Sequence, residues 1–445
     1  MNNNPPEGSI IQKEDSMIFN NVSETEIFSI PKFAVEKTDV EGFMDELRGF
    51  HSTFQSCFTR SETRENFFHY MVGQFSELDR KSIEPIALRV EGGTVRSMQR
   101  MISDAQWDED LIAKRYHQLI GDDMAHGDGI LIFDETSFVK KGNDSIGVSR
   151  QYCGSLGKVE NCQVGVFAAY ASPHGYALLD KRLFIPEKWF SEPYKDRRSK
   201  CRLPDSETVK TKVELAIEML DHVQKEELLP FRYVVADTAY GRSIEFIEAI
   251  EKHPGKTYLL AVPCDTLCWL TSPVTRKKAY TYKGEQRSRT VLSETEKAPV
   301  TVEAFARNLN NYFWYRRIVA EGAKGPIAYE FMKRKIFLHR NGLPCKSVWL
   351  IVKRTLGAEP VYSYFISNAP RSTRLPVFVW LSGVRWAIEQ CFEEAKSELG
   401  LDQYEVRKFS GWHHHILTCM LAHFFLWHLK IRLGKKSTLC YAIAA

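Results

Sequence analysis

The sequence predicts an α/β core that begins near residue 127, preceded by a helical segment and interrupted by a β-rich one. Three observations carry this. Short apolar runs ending in an acidic residue occur at 129–134 and 231–237, as expected of buried strands. Before residue 126 apolar side chains recur at three- and four-residue steps, the period of an amphipathic helix. From 263 to 370 the chain becomes rich in Thr, Tyr, Trp and basic residues, with short alternating runs that read as strands.

Taken in order, residues 1–38 read as a flexible lead-in without periodicity. A helical domain is expected over 39–126, where Phe43, Leu47, Phe50 and Phe54 share one face and Phe67, Phe68, Met71 and Phe75 another. In the helix opened by Thr94, Val95, Met98, Met101 and Ile102 can face a core. Arg96 and Arg100 then point outward with Gln99 and Ser103, as a DNA-reading helix or an ordinary amphipathic one would present them. The first part of the core, 127–262, is expected to contain a strand up to Phe133 and paired strands at 162–171 and 176–185 around Ser172-Pro173-His174-Gly175. A helix at 206–229 stopped by Pro230, a strand at 231–236, a helix at 243–252 and a strand at 257–262 complete it. The β-rich segment 263–370 follows, then core helices within 371–435 (at 376–399 and 410–433) and a tail at 436–445.

Composition narrows the class. A chain of 445 residues, 44% hydrophobic and 26% charged, has material for two or three globular units. Lys and Arg number 60 against 56 Asp and Glu, a net charge of +4, so no whole-molecule field attracts nucleic acid. DNA binding would require local clusters. Basic runs at 197–200, 276–278 and 333–335 are such clusters, though each alone also fits a solvated surface. Ten scattered cysteines and an opening that lacks an apolar stretch predict reduced thiols and a cytoplasmic, nucleoid-associated location. Cys264 and Cys268 have no second pair at zinc-finger spacing. The apolar stretch 416–429 is short and interrupted by His423 and His428, which predicts a buried helix and no membrane span.

The chemistry lies in carboxylates. Asp134 and Asp237 each follow an apolar run, where a rigid sheet can hold a side chain at the solvent boundary. On the helix expected near 381–399, Arg385, Glu389 and Lys396 stand four and then seven residues apart, on one face. An isolated surface ion pair would give the same pattern, and Glu393, Glu394 and Glu398 compete with Glu389 on spacing alone. Three such acids can hold two divalent ions, Mg²⁺ or Mn²⁺, for in-line displacement at phosphorus. Adjacent His413, His414 and His415 point in different directions on a helix and receive no role.

The runs Phe133-Asp134-Glu135-Thr136-Ser137-Phe138-Val139-Lys140-Lys141-Gly142 and Gly147-Val148-Ser149-Arg150-Gln151-Tyr152-Cys153-Gly154 closely resemble the first-aspartate block of DDE transposases of bacterial insertion sequences, in the insertion sequence 701 branch. Val235-Ala236-Asp237-Thr238-Ala239-Tyr240-Gly241 is similar to the second block. Arg385, Glu389 and Lys396 match three of the four residues of the family's helix signature, whose tyrosine would fall on Ser382. The resemblance selects Glu389 among its acidic neighbours.

It implies an RNase H-like mixed five-stranded sheet flanked by helices, with 263–370 as a β-rich insertion domain. It also implies a transposase that binds terminal inverted repeats, cuts at element ends and joins them to target double-stranded DNA as a homodimer. Asp134, Asp237 and Glu389 would be catalytic and metal-binding; Arg385, Lys396, Lys140, Lys141, Arg150, Arg96 and Arg100 would contact DNA. Trp269, Trp314 and Trp349 are candidates to stack a flipped base, but none is distinguished in the sequence, packing in the core or on a sheet face accounts better for each, and the role is assigned to none of them. A catalytically silent DNA-binding regulator and a metal-dependent nuclease on another nucleic acid are the alternatives.

Overall fold

The computed structural model describes residues 42–322 and 325–443, so the lead-in expected at 1–38 lies outside the described residues. Among the described residues five α-helices come first: α1 (Phe43–Ser52), α2 (Ser61–Phe75), α3 (Ile83–Arg89), α4 (Val95–Ser103) and α5 (Glu109–Met124). The side chains of Thr94 and Asp108 cap α4 and α5 by accepting from the backbone N–H groups of Ser97 and Leu111, which satisfies amide donors that a helix start leaves free.

The central sheet then forms. It comprises β1 (Ile130–Val139), β2 (Ser149–Cys153), β3 (Lys158–Ser172) and β4 (Gly175–Phe184). After α6 (Lys195–Cys201) and α7 (Lys212–Glu226) come β5 (Tyr233–Ala236), the single turn α8 (Thr238–Gly241), α9 (Ile244–Glu251) and β6 (Thr257–Val262). β1 pairs antiparallel with β3 and parallel with β5; β3 pairs antiparallel with β4, and β5 parallel with β6. The strands therefore lie in the order β4-β3-β1-β5-β6.

Two elements differ from expectation. β1 does not end at Phe133, because Asp134 to Val139 keep pairing with the long β3, out to Val139↔Cys162. Asp134 thus sits within a strand, at the point where the shorter parallel partner stops. The helix expected over 206–229 runs only from Lys212 to Glu226. Thr211 and Glu214 form a capping box that fixes its start, and Val209 is left exposed.

The β-rich segment contains β7 (Leu267–Trp269), β8 (Thr275–Tyr282), β9 (Glu285–Leu292), β10 (Val300–Thr301), α10 (Val302–Arg307), β11 (Tyr315–Gly322), β12 (Gly325–Arg340), β13 (Leu343–Thr355) and β14 (Tyr362–Ser367). β14 pairs with β6, and β13 and β12 add beyond it, so the five expected strands continue into a 12-stranded mixed sheet. Left alone, the β6 edge would offer unpaired backbone groups to other chains; β14 covers it. Among the described strands only β8 and β9 stand apart, as a separate two-stranded sheet.

Helices α11 (Leu375–Val384), α12 (Trp386–Leu399) and α13 (Phe409–Ile443) follow. The one helix expected over 376–399 is thus two, divided at Arg385. α13 joins the two halves of the molecule. Its Phe425 meets Phe50 at 5.2 Å, its His415 ring accepts or donates a 2.9 Å hydrogen bond with Tyr70, and its His414 stacks on Trp107 at 4.0 Å. Trp427 packs on Tyr176 of β4 at 4.7 Å. The front helices consequently use α13 as their core. By length and composition Phe409–Leu433 could cross a membrane, yet 72% of its apolar window is buried inside the protein. The three consecutive histidines do not converge: His413 faces Glu109 and Lys181, and burial holds His414 and His415 down to about 4 and about 3.

Candidate active site

Parallel pairing sets Phe133 of β1 opposite Ala236 of β5. The next residue on each strand is an aspartate, so Asp134 and Asp237 leave adjacent backbones about 4.8 Å apart. Asp237 caps α8, its Oδ1 accepting from the Ala239 N–H at 2.9 Å. That turn packs directly on β6: a Cβ at Gly241 would lie 1.8 Å from the Ala261 carbonyl oxygen, so only glycine allows the approach. Asp134 Oδ1 accepts from the Glu135 N–H at 2.8 Å, and its Oδ2 accepts from Arg385 Nη1, also at 2.8 Å. Arg385 Nη2 donates to Glu389 Oε1. One guanidinium therefore spans Asp134 and Glu389, residues far apart in sequence, and the break between α11 and α12 is where it does so.

Burial pushes the Asp134 carboxyl up to about 7; Arg385 opposes this, and the neighbouring Asp237 charge adds to it. Asp237 is raised for the same first reason, burial, with the Glu135 charge contributing. Two half-buried carboxyls side by side are thus short of positive charge. Oxygen-only donors of this kind suit Mg²⁺ or Mn²⁺. Among the described residues no three His, Cys, Asp or Glu side chains form a ready metal-binding group, and the Arg385 guanidinium lies between Asp134 and Glu389. The carboxylate oxygens of Asp134 and Asp237 suit a divalent ion in kind, but Asp134 Oδ2 is taken by Arg385. Glu389 fits only when Arg385 releases it.

The other predicted residues divide into two groups. Lys396 reaches back to β1, donating to Thr136 Oγ1 at 2.8 Å, and burial lowers its pKa. Lys140 lies over the Tyr404 ring at 3.3 Å and donates to the Tyr404 carbonyl; burial pushes it down to about 7. Lys141 and Arg150 are exposed, as are Arg96 and Arg100 on α4.

Of the competing acids, Glu394 is turned inward. It accepts from Tyr176 at 2.9 Å and pairs with His423 at 2.8 Å; burial raises its pKa, but the contacts with His423, Tyr176 and Gln390 together bring it below the ordinary value. Glu393 and Glu398 are exposed. Ser382, where the signature has tyrosine, bonds the Val379 carbonyl within α11. Trp269 and Trp314 are buried, and Trp349 donates to the Pro370 carbonyl.

Two residues of the site were not foreseen. Glu135 points to the opposite face of β1, where Lys212 and the Tyr240 hydroxyl hold it, yet its charge acts on Asp237 and Asp134. Lys353 of β13 is lowered by burial and by Arg385, and raised by Glu389. Its signal in the sequence is the first of two cations, Lys353-Arg354, closing the apolar run 348–352.

A mixed α/β sheet with paired acids on neighbouring parallel strands, answered by an arginine from a flanking helix, defines a carboxylate-centred site. The chain belongs to the DDE superfamily of endonucleases, whose family pattern matches residues 53–326, more than half its length. That span includes Asp134 and Asp237 and stops before Glu389. The chain is also similar to the probable transposase for insertion sequence element IS701 of Microchaete diplosiphon, with 29% identity over 225 residues, 49% of this chain and 53% of the relative. It spans about half the length of that relative. Among solved structures it is similar to a piggyBac transposase synaptic complex with hairpin DNA, with TM-score 0.41 and 8% identity, covering 87% of this chain and 72% of that one.

Proposed function

We propose that this protein is a DNA transposase. It binds the terminal inverted repeats of an insertion sequence, cleaves at the element ends and joins the 3′-hydroxyl ends to target DNA. The observation that carries this reading is the juxtaposition of Asp134 and Asp237 on adjacent strands, with Arg385 bridging to Glu389. Family membership and the transposase relative support it. The strand order β4-β3-β1-β5-β6, three antiparallel strands and two parallel additions, supports an RNase H-like core. In this reading the helices of 39–126 bind DNA, 127–262 and 371–435 form the catalytic unit, and 263–370 is the insertion.

Asp134, Asp237 and Glu389 would hold two Mg²⁺ or Mn²⁺ ions, which when bound activate the attacking oxygen and neutralise the leaving one. The chain itself supplies position and field. Arg385 presents a planar fork that matches a phosphate. Lys353 adds positive charge next to Arg385 and Glu389, Lys396 follows seven residues after Glu389 on the same helix, and the half-buried floor strengthens charge interactions at the site. The exposed Lys141, Arg150, Arg96 and Arg100 extend the contact to flanking phosphates, while Lys140 packs against Tyr404. Cleavage and joining are both displacements at phosphorus, so one acid set serves both. Two element ends imply two protomers, a homodimer on DNA, in the cytoplasm at the nucleoid.

The test is direct. Purified protein with Mg²⁺ should nick a duplex carrying the inverted repeats that flank its gene, and transfer the freed end to a plasmid. Binding without cleavage would favour a silent regulator, and cleavage indifferent to the repeats a general nuclease. The same assay separates the helix acids. Glu394→Gln should keep cleavage within about threefold while lowering stability by about 1–2 kcal/mol, the cost of loosening a charge-assisted bond network. Loss of cleavage in a folded Glu394→Gln protein would move the third acid away from Glu389.

A further inference from the structure

The ribbon β8–β9 is the one described pair of strands that joins no other. Every residue from Val274 to Thr290 is exposed, so it buries neither face against the body. A free two-stranded hairpin is marginal in water. This one is kept in register by a two-residue turn, Lys283-Gly284, with φ of 51° and 82°, the geometry that matches strand twist.

Register sorts its side chains sharply. Arg276, Lys278, Tyr280 and Tyr282 of β8 alternate onto one face and stand opposite Val291, Arg289, Arg287 and Glu285 of β9. That face carries four cations, two tyrosines and one acid. The other holds Thr275, Lys277, Ala279 and Thr281 opposite Leu292, Thr290, Ser288 and Gln286, with a single charge. Arg287 lies over the Tyr282 ring at 5.1 Å and Arg289 over Tyr280 at 5.7 Å, so the guanidinium groups are braced upright. Lys278 and Arg289 face each other directly, a like-charge pairing that weakens the hairpin, and neither has a carboxylate partner among the described residues. The pairs Arg276–Glu294 and Arg287–Glu285 are exposed and exchange readily.

We propose that this basic, tyrosine-braced face of β8–β9 is a DNA-binding arm that docks on the phosphate walls and groove of a duplex. Charge selects the occupant: four cations on one face repel a second copy of the same ribbon and attract a polyanion. Shape agrees. Strands of eight residues reach about 26 Å, and a two-stranded ribbon fits the roughly 12 Å major groove. The proposal rests on the reading of the protein as a DNA-processing enzyme and adds a contact remote in sequence from the acids.

The test uses the full chain and a fluorescent random-sequence duplex of about 30 base pairs, titrated at several salt concentrations. Replacing Arg276, Lys278, Arg287 and Arg289 together by Gln should weaken binding about tenfold or more near 0.1 M salt and flatten the salt slope by about 3 to 4, close to 0.9 per lost phosphate contact. Lys277→Gln, on the opposite face, should leave both nearly unchanged. Circular dichroism and melting temperature of the quadruple variant should match wild type, since no core residue is altered. Unchanged affinity and slope, equal effects from both faces, or a change only in oligomeric state would overturn the arm. Failure of the enzyme reading is separate: it appears as no cleavage by the wild-type protein, or as cleavage that survives loss of Asp134, whatever the ribbon does.

Discussion

Asp134→Asn is expected to abolish DNA cleavage and, in chelator, to make the protein more stable than wild type. The two effects share one cause. Asp134 is an acid that the fold half-buries beside a second acid, and its carboxyl is pushed up to about 7 from an ordinary 3.8. As pH rises between these values the unfolded chain releases a proton that the folded chain keeps. The linkage slope is therefore negative: stability is fullest below about pH 4 and falls by about 4 kcal/mol as pH climbs to about 7. Asparagine keeps the shape and cannot ionise. Its melting temperature should match wild type near pH 4, exceed it progressively toward pH 7 and then run parallel. Cleavage should drop at least about a thousandfold, a loss of roughly 4 kcal/mol from the barrier. An active Asp134→Asn protein would remove the residue from the chemistry; an inactive one with no gain in stability at neutral pH would show that the charge is not strained.

Arg385 gives the second large effect. Its guanidinium bridges Asp134 and Glu389, and so does two things: it compensates acid charge and, in the proposed reaction, grips phosphate. Arg385→Ala should lower cleavage by about 10²–10³-fold, the usual cost of one preorganised charge-stabilising donor. Without the guanidinium, Asp134 should hold its proton to still higher pH. Mg²⁺ or Mn²⁺ should then raise the melting temperature more in the variant than in wild type, because the ion no longer competes with a resident cation. Arg385→Lys keeps a charge but not the fork and should recover only part of the activity. Metal-induced shifts equal in all three proteins would mean that the guanidinium and the ions do not share a site.

Much of this was legible in the sequence, for reasons that can be named. The runs before Asp134 and Asp237 are apolar because β1 and β5 are buried on both faces, and such strands read clearly. Arg385 and Glu389 are four apart, and helical geometry alone pairs them. Less visible was whatever depends on a distant partner. The length of β1 is set by β3, which holds polar Asp134 to Ser137 in the ladder although their composition suggests a turn. Whether 263–370 folds apart or extends the sheet depends on the open edge of β6, which no local pattern discloses. Lys140 resembled a substrate contact because of its neighbours in sequence, whereas Tyr404 is the aromatic ring it covers. Lys353 reaches the site from a strand that local reading assigns to a different unit.

The packing of α13 has a consequence for biosynthesis. Phe43 and Phe50 at the front meet Phe425, and Gln74 meets Cys419, so the first helices have no complete core until residues beyond 409 have left the ribosome. A nascent chain already carries both aspartates long before it carries Glu389 or the helix that closes the front. The order of synthesis therefore keeps the front helices and the acid-bearing sheet from assembling until α13 has emerged, and a ribosome stalled part-way releases a fragment with exposed aromatic surface, open to proteases.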